Sequence, residues 1–152
     1  MKIFVDTSAW FVLYDPNENR FPAARRFFEE HKLIPAELFT SNYVLDESIS
    51  LIRKKIGHSQ AVIFAESLFH SSVTRILEVD QTVRNQAWSY FKRYTDKEYS
   101  FTDCTSFALM KQFHVRNAFA FDDHFRHFGF TVVPGKTQKV KRLHRQPKRG
   151  FP

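Results

Sequence analysis

The chain is predicted to be an α/β protein: a three-layer α/β/α sandwich with a central parallel sheet of about five strands. Three observations predict it. Short runs rich in β-branched and aromatic residues recur at positions 3–5, 38–40, 73–79, 118–121 and 131–133. Stretches with apolar residues at helical spacing separate them, and strands that alternate with helices imply parallel pairing with both sheet faces covered. The runs 3–5 and 118–121 also lack polar alternation, as strands buried on both sides require.

Residues 3–5 form the first strand and 7–14 a short helix, stopped by the turn sequence Asp15-Pro16-Asn17-Glu18-Asn19. Positions 21–31 carry Ala, Phe and charges at helical spacing and lead to the second strand at 38–40. A helix over 42–55 follows, with Leu45, Ile49, Ile52 and Ile56 spaced four, three and four apart as an apolar stripe. The pattern repeats over 59–70 through Val62, Ile63, Phe64 and Leu68. The third strand at 73–79 precedes a helix over 82–94. Thr102 is the expected cap of a helix running to His114, and 118–121 and 131–133 are the last strands. Right-handed connections put the ends of the first and fourth strands on one rim.

A chain of 152 residues, 43% of them apolar, is one domain with a real core. Its 18 phenylalanines are expected to fill that core and part of an oligomer interface, with base stacking by a few of them as the alternative. The single cysteine, Cys104, permits no internal disulfide and no thiolate metal cluster, which suits a reducing compartment. No apolar run approaches the roughly 20 residues that span a bilayer, and the N-terminus enters a strand without a leader pattern. A soluble, cytoplasmic protein is expected. Seven of the 23 lysines and arginines follow Gly135 and no acid does, so positions 1–135 hold 16 bases against 16 acids. The formal charge of +7 therefore belongs to a basic tail over 135–152, expected to be disordered, beyond a body over 1–134.

Four acids sit where an apolar run stops or a helix begins: Asp6, Glu47, Asp103 and Asp122. Ligands of open α/β sheets bind in the crevice outside the strand ends. Taken singly, Asp6, Asp103 and Asp122 are explained as helix caps or first-turn acids, worth about 0.5–2 kcal/mol as caps. Glu47 has Val44, Tyr43, Ser50 and Leu51 as its helical neighbours, so no cation on its own helix pairs with it. Asp46 is equally unpaired, and periodicity does not choose between the two. Taken together, the acids demand more. Two carboxylates about 5 Å apart at an effective dielectric near 20 repel by roughly 3 kcal/mol. Four in one crevice would exceed the 5–15 kcal/mol or so by which a domain is stable. Such a cluster takes up protons or holds a cation, and all-oxygen ligation suits Mg²⁺ or Mn²⁺.

Rival chemistries are poorly supported. The histidines are scattered, and His124 with His127 reads as a surface pair. Ser8, His124 and Asp6 lack the context of a nucleophile elbow, and four glycines make no phosphate loop. A haloacid-dehalogenase-type phosphatase needs a second Asp two residues after the first, where Ser8 stands. The acid pair and middle-strand Asp of a receiver domain are missing.

The segments Val5-Asp6-Thr7-Ser8, 41–47 (Ser-Asn-Tyr-Val-Leu-Asp-Glu), Ser100-Phe101-Thr102-Asp103-Cys104 and 120–125 (Ala-Phe-Asp-Asp-His-Phe), with Gly129-Phe130, resemble the PIN-domain ribonucleases in order over about residues 1–134. Among these the chain is most similar to VapC-type toxins of toxin–antitoxin systems. The resemblance implies a metal-dependent ribonuclease with Asp6, Glu47, Asp103 and Asp122 as catalytic and metal-holding acids, Asp6 and Asp103 being direct ligands. Asp122 is preferred to Asp123 because it directly follows the strand. Thr7 or Ser8 matches a supporting hydroxyl. Substrate contacts are expected from Thr7, Ser8, Arg53, Lys54 and Arg126, with Lys55, Arg84, Lys92 and Arg93 as further cations. The resemblance also implies an RNA substrate, a small antitoxin partner and a homodimer. A housekeeping RNA-processing nuclease, or a non-catalytic RNA-binding module using the tail, are the alternatives.

Overall fold

The computed structural model describes residues 1–32 and 37–135. The expected basic tail, beyond Gly135, lies outside the described residues. Five strands form one sheet: β1 (Lys2–Val5), β2 (Glu37–Ser41), β3 (Thr74–Leu77), β4 (Asn117–Phe119) and β5 (Thr131–Val133). Their order is β3-β2-β1-β4-β5 and every pairing is parallel. The helices are α1 (Thr7–Tyr14), α2 (Phe21–Lys32), α3 (Asn42–Lys55), α4 (His58–Phe69), α5 (Gln81–Arg93), α6 (Phe101–Gln112) and α7 (His124–Phe128). The expected three-layer architecture is the observed one.

Aromatic packing shows which helices cover which face. Trp10 of α1 packs on Phe28 of α2 and Phe64 of α4, while Phe107 of α6 packs on Phe125 and Phe128 of α7. Phe4 of β1 is opposite Ala118, so Phe4 and Phe119 of β4 stand at alternate registers and point to opposite faces. Phe119 meets Phe27 of α2, and Phe4 meets Phe125 of α7. Many of the phenylalanines therefore do fill the core, Phe4, Phe64, Phe107, Phe119 and Phe125 being fully enclosed.

The chain leaves β1 for β2 on one side and leaves β4 for β5 on the other. The carboxyl ends of β1 and β4 thus flank the point where strand order reverses, the usual crevice for a ligand. Asp6 and Asp122 follow these two strands.

Three boundaries differ from expectation for local reasons. The third strand stops at Leu77 rather than Val79, because the Val79 amide donates to Asn42 Oδ1 at 3.0 Å and leaves the ladder. The strand expected to reach Phe121 ends at Phe119, where the chain turns onto the rim. Ser100 caps α6, not Thr102: its hydroxyl accepts from the Asp103 amide at 3.0 Å while the Asp103 carboxylate accepts from the Ser100 amide at 2.9 Å. This reciprocal box satisfies two helix-end donors, which Thr102 has no acid three residues on to match. At the other end of the rim segment, Gly129 at φ 107° stops α7 in a left-handed turn that side chains resist.

One buried polar link holds the Asp6 strand to α1. Trp10 Nε1 donates to Thr40 Oγ1 at 3.2 Å, and Thr40 Oγ1 donates to the Val5 carbonyl at 3.0 Å. Thr40→Val leaves the indole N–H without an acceptor and is expected to destabilise the fold by about 1–3 kcal/mol. A urea unfolding midpoint unchanged from wild type would contradict this.

Candidate active site

Asp6 caps α1 from the end of β1. Its amide donates to the Phe119 carbonyl at 3.0 Å, and its Oδ2 accepts from the Ser8 amide at 3.0 Å and the Ser8 hydroxyl at 2.7 Å. The same hydroxyl accepts from the Phe121 amide at 3.0 Å. Ser8 therefore ties Asp6 to the segment that delivers Asp122. Asp6 is only 3% exposed. Burial pushes its carboxyl up to about 7, the charges of Asp122 and Asp103 push the same way, and the Ser8 hydrogen bonds oppose them.

Asp122 accepts from the His124 amide through Oδ1 at 3.0 Å. Its carboxyl is also raised, chiefly by burial, with Asp103 and Asp123 adding and His124 opposing. Asp123 is exposed and ion-paired with Arg126, so of the adjacent acids Asp122 is the one facing Asp6. Asp103 is 7% exposed, and besides its capping bond its Oδ2 accepts from His124 Nδ1 at 2.8 Å.

His124 corrects an expectation. It is half-buried against the edge of Tyr99, ring centres 5.6 Å apart, while His127 is exposed, so the two do not form a surface pair. Burial alone would lower the His124 pKa, but the hydrogen bond to Asp103 and the charges of Asp103, Asp122 and Asp6 outweigh it and raise it. Its ring bonds Asp103, not Ser8, so no Ser-His-Asp relay exists.

Glu47 lies in the second turn of α3, which Ser41 caps and which packs on α1 and α6. Glu47 is half-buried and Asp46 exposed. The buried hydroxyls of Thr7, on α1, and Ser48, on α3, have no hydrogen-bond partner among the described residues. Arg53 and Lys54 are exposed in the last turn of α3, roughly 16 Å along the axis from its start at the rim, so the fold does not bring them to the acids. Arg126 is exposed beside the site on α7 but engaged with Asp123.

Among the described residues, no three His, Cys, Asp or Glu side chains are arranged to hold a metal ion as they stand. The donor chemistry nonetheless fits one. Asp6 Oδ1, Asp103 Oδ1 and Asp122 Oδ2 accept no hydrogen bond among the described residues. Their carboxylates also repel one another, which a hard divalent cation relieves. Of the two hydroxyls expected to support the site, Ser8 bonds Asp6 and Thr7 does not, while the His124 brace was left unassigned. Ser100 followed three residues later by Asp103 was the readable sign of the capping box; nothing local marked the long-range bonds from Ser8 and His124.

Among the described residues, no helix is long and apolar enough to cross a membrane. The PIN-domain family profile matches residues 3–131. The 23S rRNA-specific endonuclease VapC20 of Mycobacterium tuberculosis is 38% identical over 131 residues, spanning 86% of this chain and 97% of that protein. The crystal structure of VapC20, described as a sarcin–ricin-loop cleaving toxin, superposes with a TM-score of 0.79 over 85% of this chain and 96% of its own. Two more distant structures share the fold: FitAcB of Neisseria gonorrhoeae (21% identity, TM-score 0.62, 86% of this chain and 95% of its own) and VapBC2 of Rickettsia felis (10%, 0.65, 87% and 97%). A shared architecture, 38% identity along almost the whole of a curated relative and a profile spanning nearly the whole body lead to one conclusion: the chain belongs to the PIN-domain family.

Proposed function

We propose that the chain is a metal-dependent endoribonuclease acting as the toxin of a toxin–antitoxin pair, with a folded loop of large-subunit ribosomal RNA as its substrate. The observation that carries the catalytic part is the convergence of Asp6, Asp103 and Asp122 at the strand-order reversal, where the charge of Asp103 presses on the other two. The substrate follows from VapC20, 38% identical along almost its full length.

Asp6 and Asp103 would hold Mg²⁺ or Mn²⁺ directly, with Asp122 and Glu47 completing the shell. When bound, the ion supplies Lewis acidity toward a phosphate oxygen and lowers the pKa of the attacking water. The chain's own groups set the geometry. Ser8 fixes the Asp6 carboxylate through Oδ2 and leaves Oδ1 open, and His124 does the same for Asp103. The body over 1–134 contains this machinery, and the cations beyond Gly135 add attraction for a polyanion.

The antitoxin reading rests on a different surface. A cavity of about 230 Å³ opens between α1, α2, α4 and β3, lined by Trp10, Leu13, Phe28, Leu68 and Val73 with Arg25 and Lys32 at its side. Beside it Val62, Ile63 and Phe69 of α4 are exposed. An amphipathic segment of a small acidic-faced partner fits this combination.

Incubation of purified protein with ribosomes or isolated rRNA is expected to give a discrete cut that EDTA abolishes and Mg²⁺ or Mn²⁺ restores. Asp6→Asn keeps an oxygen for the Ser8 amide and should fold as well as wild type, yet lose at least about a hundredfold in rate, a loss of the size seen on removing one charge-stabilising group. Equal turnover by this variant, or cleavage indifferent to EDTA, would refute the assignment.

Proton linkage gives a second measurement. The folded pKa of Asp6, about 7, is raised above its ordinary 3.8, so the folded state holds the proton more tightly than the unfolded chain. Its contribution to stability is full below pH 4 and declines as pH rises through 7, by about 4 kcal/mol at most. Without divalent ions, the stability difference between wild type and Asp6→Asn should shift against wild type across that window. Mg²⁺ should raise the wild-type melting temperature at pH 8 but not at pH 5. A pH-independent difference would show that Asp6 is ionised throughout.

Val73→Glu, placing a charge in the apolar cavity, is expected to preserve RNA cleavage while growth arrest escapes neutralisation by the cognate antitoxin. Full neutralisation of this variant would move the antitoxin surface elsewhere.

A further inference from the structure

The outer face of α5 is not explained by the core or by the acids. Trp88 and Phe91, one turn apart, are 51% and 43% exposed although they are large apolar side chains. Their rings lie nearly parallel, 13° apart with centres at 5.6 Å. Both set their faces against Phe101, edge-on at 78° and 89° with centres at 6.3 Å, and Phe101 meets Tyr43 of α3 on its other side. This aromatic run ends at the site. Phe101 is the first residue of α6, two before Asp103, and Tyr43 stands one turn ahead of Glu47.

The charges carried by α5 itself have one sign. α5 carries Arg84, Lys92 and Arg93, all exposed, and no acid. Arg84 and Lys92 lie four residues either side of Trp88 and so on the same flank of the helix. Flat exposed rings among cations are the chemistry by which proteins grip unpaired bases of RNA loops. A second copy packed symmetrically on this face would bring the three cations of one helix toward those of the other.

We propose that Trp88 and Phe91, backed by Phe101, form a ledge on which an unpaired base of the substrate RNA stacks while its phosphate backbone follows Arg84 and Lys92 toward the acids. This rests on the nuclease reading above and specifies its substrate: RNA with an unstacked base near the cut, not continuous duplex. Trp88 and Phe91 are positioning residues, because they touch a base and not the reacting phosphate.

The test uses the full chain carrying Asp6→Asn, so that RNA is bound without being consumed. The probe is a hairpin RNA with 2-aminopurine at successive loop positions. One loop position is expected to lose fluorescence on binding, and Trp88→Leu with Phe91→Leu should abolish that quenching and weaken binding about ten- to hundredfold. Trp88→Phe should retain most of both, which separates stacking from mere apolar contact. In the active protein the leucine variant should raise KM with kcat nearly unchanged. Unaltered affinity and quenching in the leucine variant, from a protein whose wild type cuts RNA, would overturn the ledge alone. So would conversion of a dimer to a monomer by the leucine changes with RNA affinity intact, since the face would then join two copies. Failure of the wild type to bind or cut any RNA would remove the nuclease reading and the ledge with it.

Discussion

Asp6 is sealed from water at a point where two other carboxyls press on it, and the surrounding structure is organised around that buried acid. A carboxylate taken out of water gains stability only from hydrogen bonds, an opposite charge or a proton. Asp6 receives two hydrogen bonds from one serine, yet burial together with Asp122 and Asp103 still lifts its pKa to about 7. The repulsion expected among clustered acids is relieved in two distinct ways. Asp6 tends to hold a proton, and Asp103 is met by a capping amide and by His124. This arrangement keeps carboxylate lone pairs open for an ion.

The order of the strands makes such a cluster possible. Because β1 and β4 are neighbours with crossovers leaving in opposite directions, residues more than a hundred positions apart emerge side by side. Ser8 then bridges the two exits, and His124 couples the β4 exit to the head of α6. Both supports use short local turns: Ser8 lies two residues after Asp6, and His124 two after Asp122, each amide bonding the preceding acid. The motif repeats at both strand ends, so each acid is oriented by the chain that follows it.

Much of this was legible in the sequence. Run lengths and helical spacing located the five strands and the helices between them other than α7, because parallel strands buried on both faces need unbroken apolar segments. Asp6, Asp103 and Asp122 were legible as helix-start acids, and Glu47 as an acid with no cation on its own helix. Long-range bonds were not legible. Nothing near His124 in the sequence indicates that its ring reaches Asp103, 21 residues earlier, and its neighbour His127 suggested a surface pair instead. The cap of α6 was misplaced by two residues because a hydroxyl was sought nearest the helix, whereas the reciprocal bond with Asp103 favours Ser100. Arg53 and Lys54 looked adjacent to Glu47 in sequence, but a helix carries its last turn away from the rim where it starts.

An acid-lined cleft that handles RNA faces an electrostatic difficulty of its own. Until a cation arrives, the crevice repels the phosphate it must receive, and the body over positions 1–135 has no net charge to offset that. Affinity must therefore come from groups set back from the acids, where contacts with the backbone and bases do not depend on the ion. The cations of α5 and the rings of Trp88 and Phe91 occupy such a position, joined to the mouth of the cleft through Phe101. Ring stacking suits it because it involves no charge and is unaffected by whether the crevice holds a proton, an ion or neither. On this division the gripping surface and the cutting surface answer to different conditions: salt weakens the first by screening Arg84 and Lys92, and acid disables the second by protonating Asp6.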